Sequence, residues 1–464
     1  MNYKIIGPVL LLLLLSNCTL MAQFNSIRIN GNDYFINGVN IPWNTFGWDF
    51  GVHERWGRGY DADWFESTFA ELESSGVNCA RIWIHCDGRA NPNFDASGKV
   101  IGLDAGMLDE VEDMVVRANN HNLMLIITLW SYDMLEDHRS IGGRHAGLHR
   151  ELITDPEKTQ SYLDHALIPL VQRLRTHCNI LAWEIINEPE WAMEVSHGGT
   201  TSQTVSVEEM QYFVGQCISA IRNHSDQYIT LGTAVPISNG GGQYTNYWHE
   251  TAFQQFDFNC AEVHLDFYSI HYYDWMGEDY SPFEKEANYW ELGKPILIAE
   301  TASNNLTSTT LIDPQRQIEL SFEQDYAGIL FWSYNANDSF SDWENCKNAL
   351  NAFRDFNADI VDYSAGQCEE TDNAPPALMC KLYPNPAQDQ LYLALHFDEA
   401  FRFTLALQIF NAQGALLSSI QTADLQAPLD IRHLPPAMYQ LHIRVLDEQE
   451  QLVQQRIQKF LVLK

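Results

Sequence analysis

Two glutamates close short apolar runs in this chain. Leu181–Glu190 reads Leu-Ala-Trp-Glu-Ile-Ile-Asn-Glu-Pro-Glu, and Pro295-Ile-Leu-Ile-Ala-Glu300 is the second such run. Runs of five or six apolar or β-branched residues between loop signals read as strands buried on both faces, the habit of parallel sheets. In a (β/α)8 barrel the residues just past the C-terminal ends of the strands form the mouth of the site, so Glu188 and Glu300 would meet there. Two carboxyl groups in that position can cleave a glycosidic bond, one protonating the leaving oxygen and the other attacking the anomeric carbon.

Other stretches carry a family resemblance. Trp183-Glu184-Ile185-Ile186-Asn187-Glu188-Pro189 resembles the Asn-Glu-Pro signature of the clan of retaining glycoside hydrolases built on the TIM barrel, and most closely its cellulases and β-mannanases. Arg81 in Cys-Ala-Arg-Ile-Trp-Ile-His resembles the clan's second-strand arginine, and His271-Tyr272-Tyr273 its sixth-strand His-x-Tyr. Glu300 resembles the seventh-strand nucleophile, and Trp332 the tryptophan that ends the eighth strand. The resemblance runs from about Phe24 to Ala365. In one place the chain departs from it: the third strand ends Leu129-Trp130-Ser131, where many members carry a histidine.

The resemblance implies Glu188 as acid/base and Glu300 as nucleophile. The acid needs a raised pKa, expected from burial and from the nearby charge of Glu300. Arg81 and Tyr273 are expected to hold Glu300 ionised, by charge and by a hydroxyl donor. A competing role for Arg81 is simply to balance Glu184 inside the barrel. Asn187 would donate to the sugar 2-hydroxyl, and His271 would position its neighbours. Trp43, followed by Asn44, and Trp130, Trp191, Trp275 and Trp332 stand at or beyond strand ends, where flat rings stack on sugars. Trp332 and Trp130 are the preferred platforms, although about half of such rings are expected to be structural. No His-x-His or His-Glu-x-x-His grouping lies at a strand end, so neither a metal nor another cofactor is expected in the chemistry.

The positioning elements follow in order. Strands are expected at Tyr34–Ile41, Cys79–Ile84, Leu123–Trp130, the Glu188 run, Tyr228–Thr233, Phe267–Tyr272, Pro295–Glu300 and Gly328–Trp332. Helix starts are marked by Asp61, Asp155-Pro156, the capping box Ser206-Val207-Glu208-Glu209, Ser281-Pro282 and Asp313-Pro314. Long loops at 42–60, 131–154 and 191–205 should wall a groove open at both ends. Residues 23–365 make this barrel, and 366–380, rich in acids and proline, read as a linker. Alternating runs over 381–464 read as a small all-β immunoglobulin-like sandwich. Its Leu382-Tyr383-Pro384-Asn385-Pro386 opening and Lys459-Phe460-Leu461-Val462-Leu463-Lys464 close resemble the C-terminal sorting domain of the type IX secretion system, whose machinery would then be a partner. A carbohydrate-binding or spacer module is the alternative.

Residues 1–22 read as a secretory signal peptide, its apolar run too short to span a bilayer, and no later stretch reaches the length of a membrane helix. Of nine cysteines, Cys18 falls within that signal. The remaining eight show no Cys-x-x-Cys pair, and an oxidising destination permits disulfides without fixing their pairing. Acidic residues number 61 against 27 basic ones, a negative field that repels nucleic acid and acidic polysaccharides. The expectation is a secreted or cell-surface monomer acting on a neutral β-linked polysaccharide, with β-mannan ahead of β-glucan. An exo-acting or transglycosylating enzyme, or a non-catalytic glycan-binding protein, are the alternatives.

Overall fold

The structure is a computed structural model. It describes residues 25–29, 32–238, 245–260, 262–306, 311–364, 379–383, 387–396, 404–411, 415–422, 429–446 and 452–463. The expected signal peptide, Cys18 and residues 366–378 of the expected linker lie outside the described residues.

Eight parallel strands close into a barrel. They are β1 (Ile36–Ile41), β2 (Cys79–Cys86), β3 (Met124–Ser131), β4 (Ile180–Asn187), β5 (Tyr228–Thr233), β6 (Tyr268–Tyr272), β7 (Ile296–Ala302) and β8 (Gly328–Trp332). Every residue of β2, β3 and β4 is buried, as strands covered on both faces require. Along β2, Cys79 and Arg81 point inward together, because side chains on one face of a strand recur every two residues. The lower level of the interior is apolar, with Ile36, Cys79, Ile126, Ala182 and Leu330 in one cluster. One step up, Asn40, Arg81 and Glu184 replace it with a buried polar level. Register sets the mouth: Asn187 pairs with Ser131 on one side and Gly232 on the other, and His271 pairs with Glu300.

The helices start where side chains can cap them. Asp61 caps α1 (Ala62–Ser74), and α2 (Met107–Asn120) follows β2. Asp155 caps α3 (Pro156–Tyr162), Ser206 and Glu209 form the capping box of α4 (Val207–Arg222), and Asp313 caps α5 (Pro314–Glu323). Asp342 caps α6 (Trp343–Phe356). The helix expected from Ser281 does not form. Among the described residues, β6 and β7 are joined only by turns and short 3-10 segments, the last at Ala287–Trp290. Gly277 and Gly293, both at positive φ, bracket this connection, and Phe283, Ala287 and Trp290 are buried at helical spacing although only the last two lie in a helical turn, a 3-10 one. Cys79, Cys86, Cys217 and Cys346 are buried free thiols, and Cys178 is disulfide-bonded.

The C-terminal region holds two sheets. β9 (Met379–Tyr383), β10 (Gln390–His396) and β13 (Leu429–Asp430) form one. β11 (Thr404–Asn411), β12 (Leu416–Thr422), β14 (Ala437–Leu446) and β15 (Leu452–Val462) form the other, in the order β12-β11-β14-β15. Leu391 and Leu429 of the first sheet share a buried cluster with Leu407, Leu441 and Ile443 of the second, and all its members lie between residues 387 and 462.

Gly38 in β1 tests the closeness of the barrel wall. A Cβ there would lie 2.3 Å from the Cys79 carbonyl oxygen and 2.4 Å from a Leu330 methyl, and the first is backbone that cannot swing aside. Gly38→Ala is expected to cost about 1–3 kcal/mol, the usual price of overpacking, measured as a lowered urea midpoint; an unchanged midpoint would mean that β1 and β2 can part at this level.

Candidate active site

Glu188 follows the last residue of β4, and the chain leaves the barrel there by a turn that puts Glu188 itself in the left-handed region at φ 49° and ψ 49°. A non-glycine residue in that conformation is held by its surroundings. Its backbone N–H donates to the Gly232 carbonyl at 2.7 Å, tying the turn to the end of β5. Its Oε2 accepts from Trp191 Nε1 at 2.9 Å, and its Oε1 lies 2.9 Å from His271 Nδ1. Pro189, next in the chain, opens the 3-10 turn that brings Trp191 back over the carboxyl group.

Glu300 stands opposite on β7. Arg81 Nη1 donates to its Oε1 at 2.6 Å, Tyr273 hydroxyl donates to its Oε2 at 2.9 Å, and His271 Nδ1 is 3.5 Å from that same oxygen. One oxygen from each glutamate and one His271 nitrogen all lie within 4.8 Å of one another. Three such atoms could hold a cation, but the permanent charge of Arg81 against Glu300 opposes a second positive charge there.

Arg81 is fully buried and serves both of the roles weighed from sequence. Nε donates to Glu184 at 2.9 Å and Nη2 donates to the same carboxylate, while Nη1 reaches Asn40 at 2.9 Å as well as Glu300. Nη2 also donates to Asn187 Oδ1 at 2.7 Å, which fixes which end of that amide faces the arginine. Asn40 in turn donates to the Ala299 and Phe331 carbonyls, at 2.9 and 3.1 Å. Sequence reasoning missed Asn40; its signal was an amide near the C-terminal end of a fully buried strand, three residues after Asn37.

The two acids sit in different fields. Burial pushes Glu188 up to about 7, against the Trp191 hydrogen bond and the Arg81 charge, which pull it down; Glu184 adds a smaller upward push. The charge expected to raise Glu188 was that of Glu300. That repulsion is mutual: at Glu300 burial acts upward, the charge of Glu188 adds to it, and the charge of Arg81 acts downward. Burial lowers His271 to about 4, so it is neutral near pH 7 and Arg81 is the cation that keeps Glu300 ionised.

The aromatic expectations divide. Trp332 is half-buried, its Nε1 donates to Asp338 at 2.8 Å, and Trp43 packs edge-on against it at 6.2 Å. Trp130 is no platform: it is completely buried, between His85 at 4.8 Å and Tyr162 at 5.5 Å, because the loop after β3 folds His149 over it. Trp191 covers Glu188, and Trp275, 59% exposed, stands 6.1 Å from Trp191 at the rim. Asn44 is exposed on the loop after β1, where its backbone N–H donates to Asp49, and no described contact joins it to the glutamates.

The barrel has known counterparts. The chain is 26% identical over 335 residues to the mannan endo-1,4-beta-mannosidase of Mytilus edulis, covering 68% of this chain and 87% of the mussel enzyme. It is 25% identical over 348 residues to the enzyme of that name from Cryptopygus antarcticus, covering 70% and 86%. The chain is a glycoside hydrolase. In structure, the hydrolase superposes on the Eisenia fetida endo-1,4-beta-mannanase with a TM-score of 0.63 at 26% identity, covering 71% of this chain and 93% of that one. The Mytilus edulis beta-mannanase structure gives 0.63 at 24% identity, covering 74% and 96%. Residues 381–459 match the secretion system C-terminal sorting domain family. Among the described residues no helix is long and apolar enough to cross a membrane.

Trp191→Phe removes the N–H that favours ionised Glu188, so Glu188 should titrate above about 7. Carbon-13 NMR titration of labelled glutamate side chains reads this directly; an unmoved titration would show that the indole does not bond the carboxylate.

Proposed function

We propose that the hydrolase is a secreted, retaining endo-β-1,4-mannanase. The observation that carries the mechanism is the closeness of Glu188 and Glu300, with an oxygen of each inside a 4.8 Å cluster. That spacing suits direct attack by a carboxylate, at about 5–5.5 Å between carboxyl groups, and leaves no room for the water that inversion places between groups about 6.5–9.5 Å apart. The substrate reading is supported by relatives named as mannan endo-1,4-beta-mannosidases, which favours mannan over β-glucan.

In this reading Glu300, held by Arg81 and Tyr273, attacks the anomeric carbon while Glu188 protonates the departing glycosidic oxygen. Forming the ester removes the charge of Glu300 and leaves Glu188 ionised. Glu188 then takes a proton from water, the water attacks the anomeric carbon, and Glu300 departs as carboxylate with Glu188 reprotonated. Asn187, whose Oδ1 is turned to Arg81, offers its NH2 to the sugar 2-hydroxyl. Trp332 is the sugar platform, and Trp191 and Trp275 line the rim.

The loops after β1, β3 and β4 support internal cutting. They fasten to one another as walls, with His53 Nε2 on the Gly142 carbonyl at 2.7 Å and Gln203 N–H on the Leu135 carbonyl at 3.0 Å. A net charge of −34 favours a neutral chain as substrate. We further read residues 1–22 as a removed signal, 23–365 as the catalytic barrel of a monomer, 366–380 as a linker, and 381–464 as an immunoglobulin-like sandwich addressed to type IX export. Because its buried cluster is built from residues 387–462 alone, a chain ending at Ser364 should keep wild-type turnover of soluble mannan. Loss of folding in that shortened chain would contradict the division.

Glu300→Gln should abolish turnover, and Glu188→Gln should lose about 10²–10⁴-fold on mannan but much less on aryl mannosides with good leaving groups. For the parent enzyme, kcat/KM should fall as pH rises through about 7, where Glu188 loses the proton it must donate. Proton NMR of the first products should show the β-anomer. An α-anomer, or wild-type rates in either variant, would refute the assignment.

A further inference from the structure

A second cluster of charged groups stands on the cleft wall just beyond β3, outside the hydrolytic pair. Ser131, the last residue of β3, donates its hydroxyl to Asp133 Oδ2 at 2.5 Å. His138, from the same loop, has Nδ1 3.0 Å from Asp87 Oδ2 and Nε2 3.8 Å from Asp133 Oδ1. Asp87 is completely buried and already paired with Arg89, whose guanidinium lies 4.4 Å over the Phe46 ring. Phe46 packs edge-on against His138 at 5.8 Å and against Trp43 at 4.4 Å, and Trp43 leads to Trp332. The cluster is thus built from the loops after β1, β2 and β3 and continues the aromatic lining of the site.

Asp133 Oδ1 and His138 Nε2 are the two atoms that this network leaves open. Among the described residues neither makes a hydrogen bond, and 3.8 Å is too long for one between them. The side chains are 16% and 27% exposed, so a ligand can reach them. A hydroxyl oxygen about 2.8 Å from each atom closes a triangle on that 3.8 Å side. It would donate to the carboxylate and accept from the imidazolium N–H. The charged groups that face His138 are Asp87, Asp133, Arg89 and its chain neighbour Asp137; the Asp87 hydrogen bond, with the charges of Asp133 and Asp87, raises it against burial and Arg89. Asp133 also lies within the field of Glu188, and Tyr132, next to it in the chain, feels Asp133, Glu188 and Glu300 together.

We propose that Asp133 and His138 form a specificity-determining pair that grips one hydroxyl of the glycan, with Ser131 and Asp87 as the positioning residues behind them. The proposal rests on the hydrolase reading of the cleft but not on which neutral glycan is cut. The ligand class is a hydroxyl-bearing sugar in a neutral chain, since a carboxylate acceptor facing the substrate repels an acidic one.

Steady-state kinetics on manno-oligosaccharides, or on whichever neutral glycan the wild-type enzyme turns over, tests it. D133A should raise KM about tenfold with kcat within about threefold, the signature of a lost charge-assisted hydrogen bond made in ground and transition state alike. In the wild type 1/KM should fall as pH rises through the raised pKa of His138, because the imidazolium supplies the donor; H138Q should remove that fall. D133N, close to isosteric, keeps the test alive if D133A does not fold, and should raise KM by a smaller factor. A folded D133A or D133N with wild-type KM, or an H138Q enzyme whose 1/KM keeps the same dependence on pH, would overturn the pair. Failure of mannan alone as substrate, with β-glucan cleaved, would count against the mannanase reading and leave this test intact.

Discussion

The guanidinium of Arg81 is the group on which the rest of the barrel mouth depends. It is buried without access to water, and a lone cation there would be costly, so the fold surrounds it with acceptors. Glu184 and Asn187 come from β4, Asn40 from β1 and Glu300 from β7, so one side chain on β2 draws in groups from three other strands. Two carboxylates share the single charge. Glu184 takes the side-on bidentate grip, which leaves Glu300 with one Arg81 nitrogen and the Tyr273 hydroxyl, and its oxygens at the mouth. Removing one member of such a buried network typically costs about 3–5 kcal/mol because the remaining charge is left uncompensated. The polar level of the interior therefore serves stability and chemistry together.

The asymmetry between the two glutamates grows from this arrangement. Glu300 touches the cation, whereas Glu188 touches only an indole N–H and a neutral imidazole. Burial raises both, but only one has a full positive charge within hydrogen-bond reach. The same burial that raises Glu188 keeps His271 unprotonated, so the imidazole orients the acid and does not compete with Arg81 for Glu300. The left-handed turn at Glu188 and the Gly232 carbonyl that receives its N–H set the direction from which a proton can be given.

Much of this was legible in the residues. Apolar runs with β-branched residues marked all eight strands to within a few positions, and Tyr228–Thr233 and Gly328–Trp332 agree residue for residue, because burial on both faces leaves the composition little choice. Caps at Asp61, Asp155, Ser206 and Asp313 are local hydrogen bonds, and local bonds leave local signatures. Trp130 was misread because strand position does not say which loop will fold over a ring, and here His149, nineteen residues on, does so. The connection after Ser281 was misread because a proline next to a serine marks a turn as readily as a helix start. Asp133 and His138 escaped notice since their partner Asp87 lies on a different loop, and only the closed barrel brings the two loops together.

Retention by this pair of carboxyl groups requires a covalent bond between the glycan and Glu300. Incubating the enzyme with a 2-deoxy-2-fluoro-β-mannosyl fluoride, whose 2-fluorine slows both formation and release of the ester while its good leaving group restores formation, should trap that species. Peptide mass spectrometry should then find a single added fluoro-sugar on the peptide that contains Glu300, at that residue. An enzyme that turns over mannan but accumulates no adduct, or carries the sugar on Glu188, would contradict the assignment of the two carboxylates.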